Sequence, residues 1–307
     1  MKATALQRGT AVHEAIEYYN TGKSWKRAVK KFAKEFYRTT MKQEIEAFGD
    51  VPKIVQSICE NYFECYEDDG LEYLDCEVHF ELPLSPTINL EGYIDAITKD
   101  GNEIWPMEHK TYKRMPNRDF IMFNPQAARY IWALWQLGYK PAGFLWNIIL
   151  VAEPALPTLT EKTHELSLKK IKSTPYTIIQ GIKQLGLDPK NYQEYIGKFS
   201  YDDFFYRSKI RLSEDVVNDI MKDTIKIAED IDYNGEKNRV KNLTKDCSWC
   251  SYKSICQGEM MGLDVDYIKK SEYKKREHGR NEEKIHQPKI RIKTHRNRGK
   301  NKRPHRN

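Results

Sequence analysis

Three charged side chains interrupt two stretches that are otherwise apolar enough to be buried strands. Gly92-Tyr93-Ile94-Asp95-Ala96-Ile97 carries Asp95 in its middle, and Ile104-Trp105-Pro106-Met107-Glu108-His109-Lys110-Thr111 carries Glu108 and Lys110 toward its end. An unpaired buried charge is costly, so a strand that serves only packing avoids such residues. Glu108 and Lys110 are two positions apart and share one face of a strand, and Asp95 can join them from its neighbour. Two carboxylates and an ammonium converging on one spot make a divalent-metal site, with a cation beside it to hold a nucleophilic water.

The elements that must position this trio are legible from the pattern around it. Extended segments are expected over 73–82, 88–98 and 102–111, separated by Pro83-Leu84-Ser85-Pro86 and Lys99-Asp100-Gly101, whose breakers suit hairpins. The last two strands then lie ~5 Å apart, close enough for both carboxylates to reach one ion. Upstream, Val12, Ile16 and Tyr19 repeat at helical spacing over 5–19, with His13 and Glu17 one turn apart beside that stripe. A long helix is expected from Ser24 to about Ile45, and another from about Val51 to Tyr66.

Downstream, a helix is expected after Asn117 through Phe120, Met122, Phe123, Gln126, Tyr130, Leu134 and Leu137, closing at Gly138. Gln126 and Tyr130 are again one turn apart. The apolar run 143–151 suits a strand covered on both faces. Residues 152–200 carry weak helical signals and no legible chemistry, as an inserted lobe would, and 201–207 suits a strand or sheet edge. Ser213 to Asp232 reads as a helix with Val216, Val217, Ile220, Ile227 and Ile231 facing inward.

The overall charge of +7 is unevenly spread. Residues 269–307 hold 16 basic and 4 acidic side chains, whereas residues 1–268 hold 35 basic and 40 acidic ones. A mildly acidic globular body of 1–268 with a basic disordered tail of 269–307 is therefore expected, the tail serving as a nucleic-acid-binding arm or as a solubilising extension. No apolar run approaches the ~18 residues of a membrane span and no signal peptide is legible, so a cytoplasmic protein without a membrane partner is expected. In a reducing compartment the six cysteines read as ligands or core residues. Cys247, Cys250 and Cys256, at x2 and x5 spacing, have the pattern of a zinc or iron–sulfur site.

Taken together, Gly9-x3-His13-x3-Glu17, Gly92-Tyr93-Ile94-Asp95, Glu108-His109-Lys110, Gln126-x3-Tyr130 and Cys247-x2-Cys250-x5-Cys256 resemble the RecB-like branch of the PD-(D/E)XK nuclease superfamily. The likeness is to its phage and prokaryotic exonucleases with a four-cysteine iron–sulfur cluster, and it spans about Leu6 to Cys256. It implies a restriction-endonuclease-like α/β fold, a mixed central sheet flanked by helices. Asp95 and Glu108 would bind Mg²⁺ or Mn²⁺ with the main-chain carbonyl of His109, and His13 would add an imidazole. Lys110 would orient or activate the attacking water, and Gln126 and Tyr130 would contact DNA. Cys247, Cys250 and Cys256 would hold a [4Fe-4S] cluster. The family places a first cluster cysteine before the Gly-x3-His helix, and none precedes His13 here. The expectations are an upstream extension of the chain, another completing residue, or three cysteines that bind zinc or nothing stably.

The expected activity is metal-dependent exonucleolytic hydrolysis of DNA in replication, recombination or repair, in a prokaryotic or phage-infected cell. A helicase or recombination protein would be the partner. The alternatives are a CRISPR-adaptation nuclease that trims spacer precursors, and a non-catalytic DNA-binding protein with a structural metal site.

Overall fold

The computed structural model describes residues 4–117, 119, 121, 124–234 and 241–274. It comprises two compact units, Met1–Lys226 and Ile227–Asn307. The first is built on five strands in the order β1-β2-β3-β4-β5: β1 (Glu72–Pro83), β2 (Asn89–Asp100), β3 (Glu103–Tyr112), β4 (Phe144–Leu150) and β5 (Phe205–Ile210). Only β3 and β4 run parallel; the other three pairs are antiparallel. This is the mixed sheet of a restriction-endonuclease-like α/β fold.

Seven consecutive buried residues make β4 the centre of the core, as its unbroken apolar run requires. One face of the sheet is covered by α1 (Thr4–Asn20), α2 (Trp25–Thr39) and α4 (Val51–Cys65), which bury Val12, Ile16, Val29, Val55 and Ile58 together with Ile149 and Phe205. The other is covered by α5 (Gln126–Gln136), whose Ala127, Ala128 and Ile131 pack on Phe144, Trp146 and Ile148. Leu166, Ile178, Ile182, Tyr195 and Ile196 form a separate small core in the expected lobe, around α6 (Pro175–Gln184). Thr177 Oγ1 ties that lobe to α4 by donating to Asn61 Oδ1 at 2.9 Å.

Three expectations are corrected. The helix from Ser24 does not run to Ile45; it ends at Thr39, and α3 (Lys42–Phe48) restarts after it. Thr40 takes extended backbone angles, φ −117° and ψ 131°, which break the helix, and the Glu44 carboxylate accepts the Met41 N–H at 3.0 Å, so a capping box starts the next one. The helix carrying Gln126 begins at Gln126 itself, after Pro125; Phe120, Met122 and Phe123 lie outside the described residues. In α7 (Glu214–Asn234) the buried residues are Val217, Met221 and Thr224, while Val216, Ile227 and Ile231 are exposed. Three of the five apolar positions expected to face inward there are not a core signal.

The second unit holds α8 (Lys253–Met260) and α9 (Val265–Glu272), joined through Gly262 at φ +67°. Tyr252 stacks on Tyr273, with ring centroids 5.8 Å apart and planes 9° from parallel. The basic stretch from residue 275 onward lies outside the described residues.

Candidate active site

The site forms where two neighbouring strands part. Pairing between β2 and β3 runs from Asp100↔Glu103 to Ala96↔Met107 and stops there. Beyond that point β3 is paired through Tyr112 with β4 alone, and β2 continues against β1. Asp95 and Glu108 are the first residues past the last pair, so the two carboxylates stand at the mouth of the opening.

Lys110 and Glu108 share one face of β3, as their spacing predicts, and Lys110 Nζ donates to Glu108 Oε1 at 2.7 Å. The same oxygen accepts from Gln126 Nε2 at 2.9 Å, and that amide also donates to the Tyr130 hydroxyl at 2.8 Å. Gln126 thus occupies neither a solvated face nor a packing position; α5 points it at the acid. Glu108 is 7% exposed, and its other oxygen, Oε2, is buried with no hydrogen-bond partner. Asp95 Oδ2 accepts the His109 peptide N–H at 2.6 Å and lies 3.9 Å from His13 Nδ1.

His13 arrives on α1 because that helix approaches β3 closely at Gly9. A Cβ placed on Gly9 would meet Thr111 Oγ1 at 2.6 Å. Gly9 and His13 are one turn apart, so the close approach of the first delivers the second to Asp95. Their spacing in the sequence is a packing requirement as well as a motif.

The electrostatics of the site are set by burial. Desolvation, and then the charge of Glu108, push the Asp95 carboxyl well above the ordinary range. Glu108 is raised by desolvation too, opposed by Lys110 and Gln126. His13 falls to about 4 because it is desolvated and faces Lys110, which leaves a neutral imidazole available as a ligand. Two acids held above their ordinary values in a partly closed site await a positive charge, and the orphaned Oε2 is a place for one to bind.

The donors fit a hard divalent cation: carboxylate oxygen from Asp95 and Glu108, with one imidazole from His13. Among the described residues no three His, Cys, Asp or Glu side chains stand close enough to hold an ion by themselves. Main-chain carbonyl and water oxygens would have to complete the shell. Cys247, Cys250 and Cys256 form no such group either; the Cys247 thiol lies 3.9 Å from the Asn242 carbonyl, and Cys250 Sγ accepts the Tyr252 N–H at 3.4 Å.

Two groups near the centre lie outside the motifs. Glu77, on the rim, is raised by partial burial and by Glu17 and Glu108, and its backbone lies at φ +52°. A left-handed non-glycine residue costs roughly 1–2 kcal/mol, a cost that recurs at functional sites. Behind β3 the fully buried Asn147 donates to His109 Nδ1 at 2.7 Å and to the Tyr62 hydroxyl at 2.7 Å. A lone Asn in a strand of Phe, Leu, Trp and Ile is the clue the sequence held.

The PD-(D/E)XK nuclease superfamily model matches residues 2–257. Solved structures with some likeness include SSO0001, at 13% identity and TM-score 0.30, covering 74% of this chain and 79% of that one. A Eubacterium rectale protein provisionally designated an exonuclease matches at 13% identity and TM-score 0.29, covering 82% and 80%. Likenesses this weak bear on neither the activity nor the site. Among curated proteins none matches the chain. No helix among the described residues is long and apolar enough to cross a membrane.

Proposed function

The chain belongs to the PD-(D/E)XK nuclease superfamily, and on that premise we propose that it is a metal-dependent deoxyribonuclease of the RecB-like branch, acting on DNA ends in replication, recombination or repair. The observation that carries this reading is the shared oxygen of Glu108, which holds Lys110 and Gln126 while Oε2 stays buried and unpaired.

A bound Mg²⁺ or Mn²⁺ would neutralise the non-bridging phosphate oxygens and lower the pKa of a coordinated water. Asp95 and Glu108 hold the charge that fixes that ion, and the His109 N–H keeps Asp95 turned toward it. His13 would supply a neutral imidazole and the His109 carbonyl a further oxygen. Lys110, anchored on Glu108, orients the attacking water and stabilises the charge that develops on the phosphate. Gln126 and Tyr130, on α5 and hydrogen-bonded to Glu108 and to each other, would contact the DNA strand near the scissile phosphate.

A nuclease body of 1–268 with a basic arm of 269–307 gripping phosphates belongs to the same proposal, as do a cytoplasmic setting and a helicase or recombination partner. A cluster or zinc at Cys247, Cys250 and Cys256 draws on their spacing alone; metal analysis of anaerobically purified protein tests it. The test of the activity is degradation of end-labelled linear DNA with Mg²⁺ or Mn²⁺. Release of nucleotides from the ends is expected, and salt-sensitive binding without cleavage would favour the non-catalytic alternative.

A further inference from the structure

The opening between β2 and β3 leaves the segment that carries Glu108 and Lys110 with strand pairing on one side only. From Glu108 to Tyr112, β3 has β4 as its single paired neighbour. In that pairing His109 stands opposite Asn147, and their side chains add a second tie, Asn147 Nδ2 to His109 Nδ1 at 2.7 Å.

The polarity of this tie is forced from behind. Arg207 has donors only, and its Nε meets Asn147 Oδ1 at 3.4 Å, so the amide must present its NH₂ group to His109 and Tyr62. Arg207 is itself fixed. It donates to Asp69 Oδ2 at 2.8 Å and to the hydroxyls of Tyr62 and Tyr73 at 3.2 Å, and its guanidinium lies 3.7 Å over the Tyr66 ring. An NH₂ facing Nδ1 requires that nitrogen to accept, which puts the proton of His109 on Nε2.

We propose that Asn147 is a positioning residue for this centre: oriented by Arg207, it holds His109 as the Nε2–H tautomer and so fixes the peptide N–H that carries Asp95. Asn147 touches neither Asp95 nor Glu108. It acts through residue 109, whose main chain lies between Glu108 and Lys110 and bonds Asp95 at 2.6 Å. Loosening the ring lets that segment shift, because no main-chain pairing to β2 restrains it and its one bond to that strand is the Asp95 side chain itself. Geometry at such centres tolerates little displacement.

This inference rests on the nuclease reading for its effect on turnover but not for the tautomer or for metal affinity. The experiment is long-range ¹H–¹⁵N NMR of histidine-labelled protein, with Mn²⁺ titration by calorimetry and DNA cleavage, for the parent and Asn147→Asp. The substitution keeps the shape and the acceptor toward Arg207 but offers Nδ1 an acceptor. Expected are Nε2–H in the parent, a proton on Nδ1 in the variant, about 10–100-fold weaker Mn²⁺ binding, and a lower kcat with unchanged KM for DNA. A parent His109 protonated on Nδ1 overturns the proposal, and so does a variant with undiminished Mn²⁺ affinity. Should Asn147→Asp not fold, Asn147→Ala takes its place: it deletes the donor, and undiminished Mn²⁺ affinity there overturns the proposal equally. A parent protein that binds Mn²⁺ in the Nε2–H form but cuts no DNA sinks the nuclease reading and leaves this one standing.

Discussion

Lys110 Nζ sits 2.7 Å from Glu108 Oε1, on the same face of β3, and leaves Glu108 Oε2 buried without a partner. One acid thus gives one oxygen to a cation the chain supplies and keeps the other without a hydrogen-bond partner. Removing either partner has distinct consequences. Lys110→Ala is expected to lower cleavage by about 10²–10³-fold or more while leaving Mn²⁺ binding measurable, because the lost group stabilises developing charge. Glu108→Gln is expected to weaken Mn²⁺ binding as well. Steady-state cleavage with calorimetric titration separates the two, and full activity of Lys110→Ala would refute its role.

Gly9→Ala tests the approach of α1 to β3. In an open helix the change would raise stability by roughly 0.5–1 kcal/mol. Here the added methyl meets Thr111 Oγ1, and overpacking of this kind costs about 1–3 kcal/mol. A lower denaturation midpoint with reduced cleavage is expected, since His13 moves with the helix. A more stable variant would mean that the contact yields easily.

The pH dependence of the metal-free protein has a definite sign. Asp95 is raised by desolvation and by Glu108, so above the ordinary Asp range the folded chain binds more protons than the unfolded one. Stability from this group is greatest in acid and is lost as pH rises through neutrality. His13, lowered from 6.5 to about 4, acts oppositely, losing stability as pH falls through that window. Above about pH 7 both states hold His13 neutral, and the carboxyl effect stands alone. In EDTA, Asp95→Asn is expected to gain stability over the parent as pH rises from about 7 to 9, read by chemical denaturation. Parallel profiles would contradict the assignment.

A divalent cation reverses that penalty by meeting the charge of both acids. At a concentration 100 times its dissociation constant it adds about 2.7 kcal/mol to the folded state. Thermal unfolding with Mg²⁺ or Mn²⁺ against EDTA measures this, and the increment should vanish in the double variant Asp95→Asn, Glu108→Gln. An equal shift in both proteins would place the ion elsewhere.

Deleting residues 269–307 removes 16 basic side chains. DNA affinity is expected to fall and its dependence on salt to flatten, because fewer counterions are released on binding. Binding isotherms at several ionic strengths decide it, and an unchanged slope would make the tail a bystander.

Much of the site was legible from residue types alone. Charges placed in apolar strands mark Asp95, Glu108 and Lys110 whatever the fold, since burial without function would select against them. The fully apolar run of β4 likewise announces a central strand. Helix ends were less legible: the stop at Thr39 comes with a single extended residue, Thr40, in a stretch that holds neither Gly nor Pro to announce it. The exposed Val216, Ile227 and Ile231 show that periodicity marks an apolar stripe without saying what covers it.

The wiring between these groups belongs to the folded chain. Glu108 lies 18 residues before Gln126, and Asn147 lies 38 residues after His109 and 60 before Arg207. These contacts depend on which strands become neighbours and on where β2 leaves β3, and sheet order is a property of the whole chain. Residue types were enough to single out these charged groups, because their charge is costly wherever they are buried. It took the assembled sheet to hold one oxygen of Glu108 twice and the other not at all, and to orient His109 from the far face.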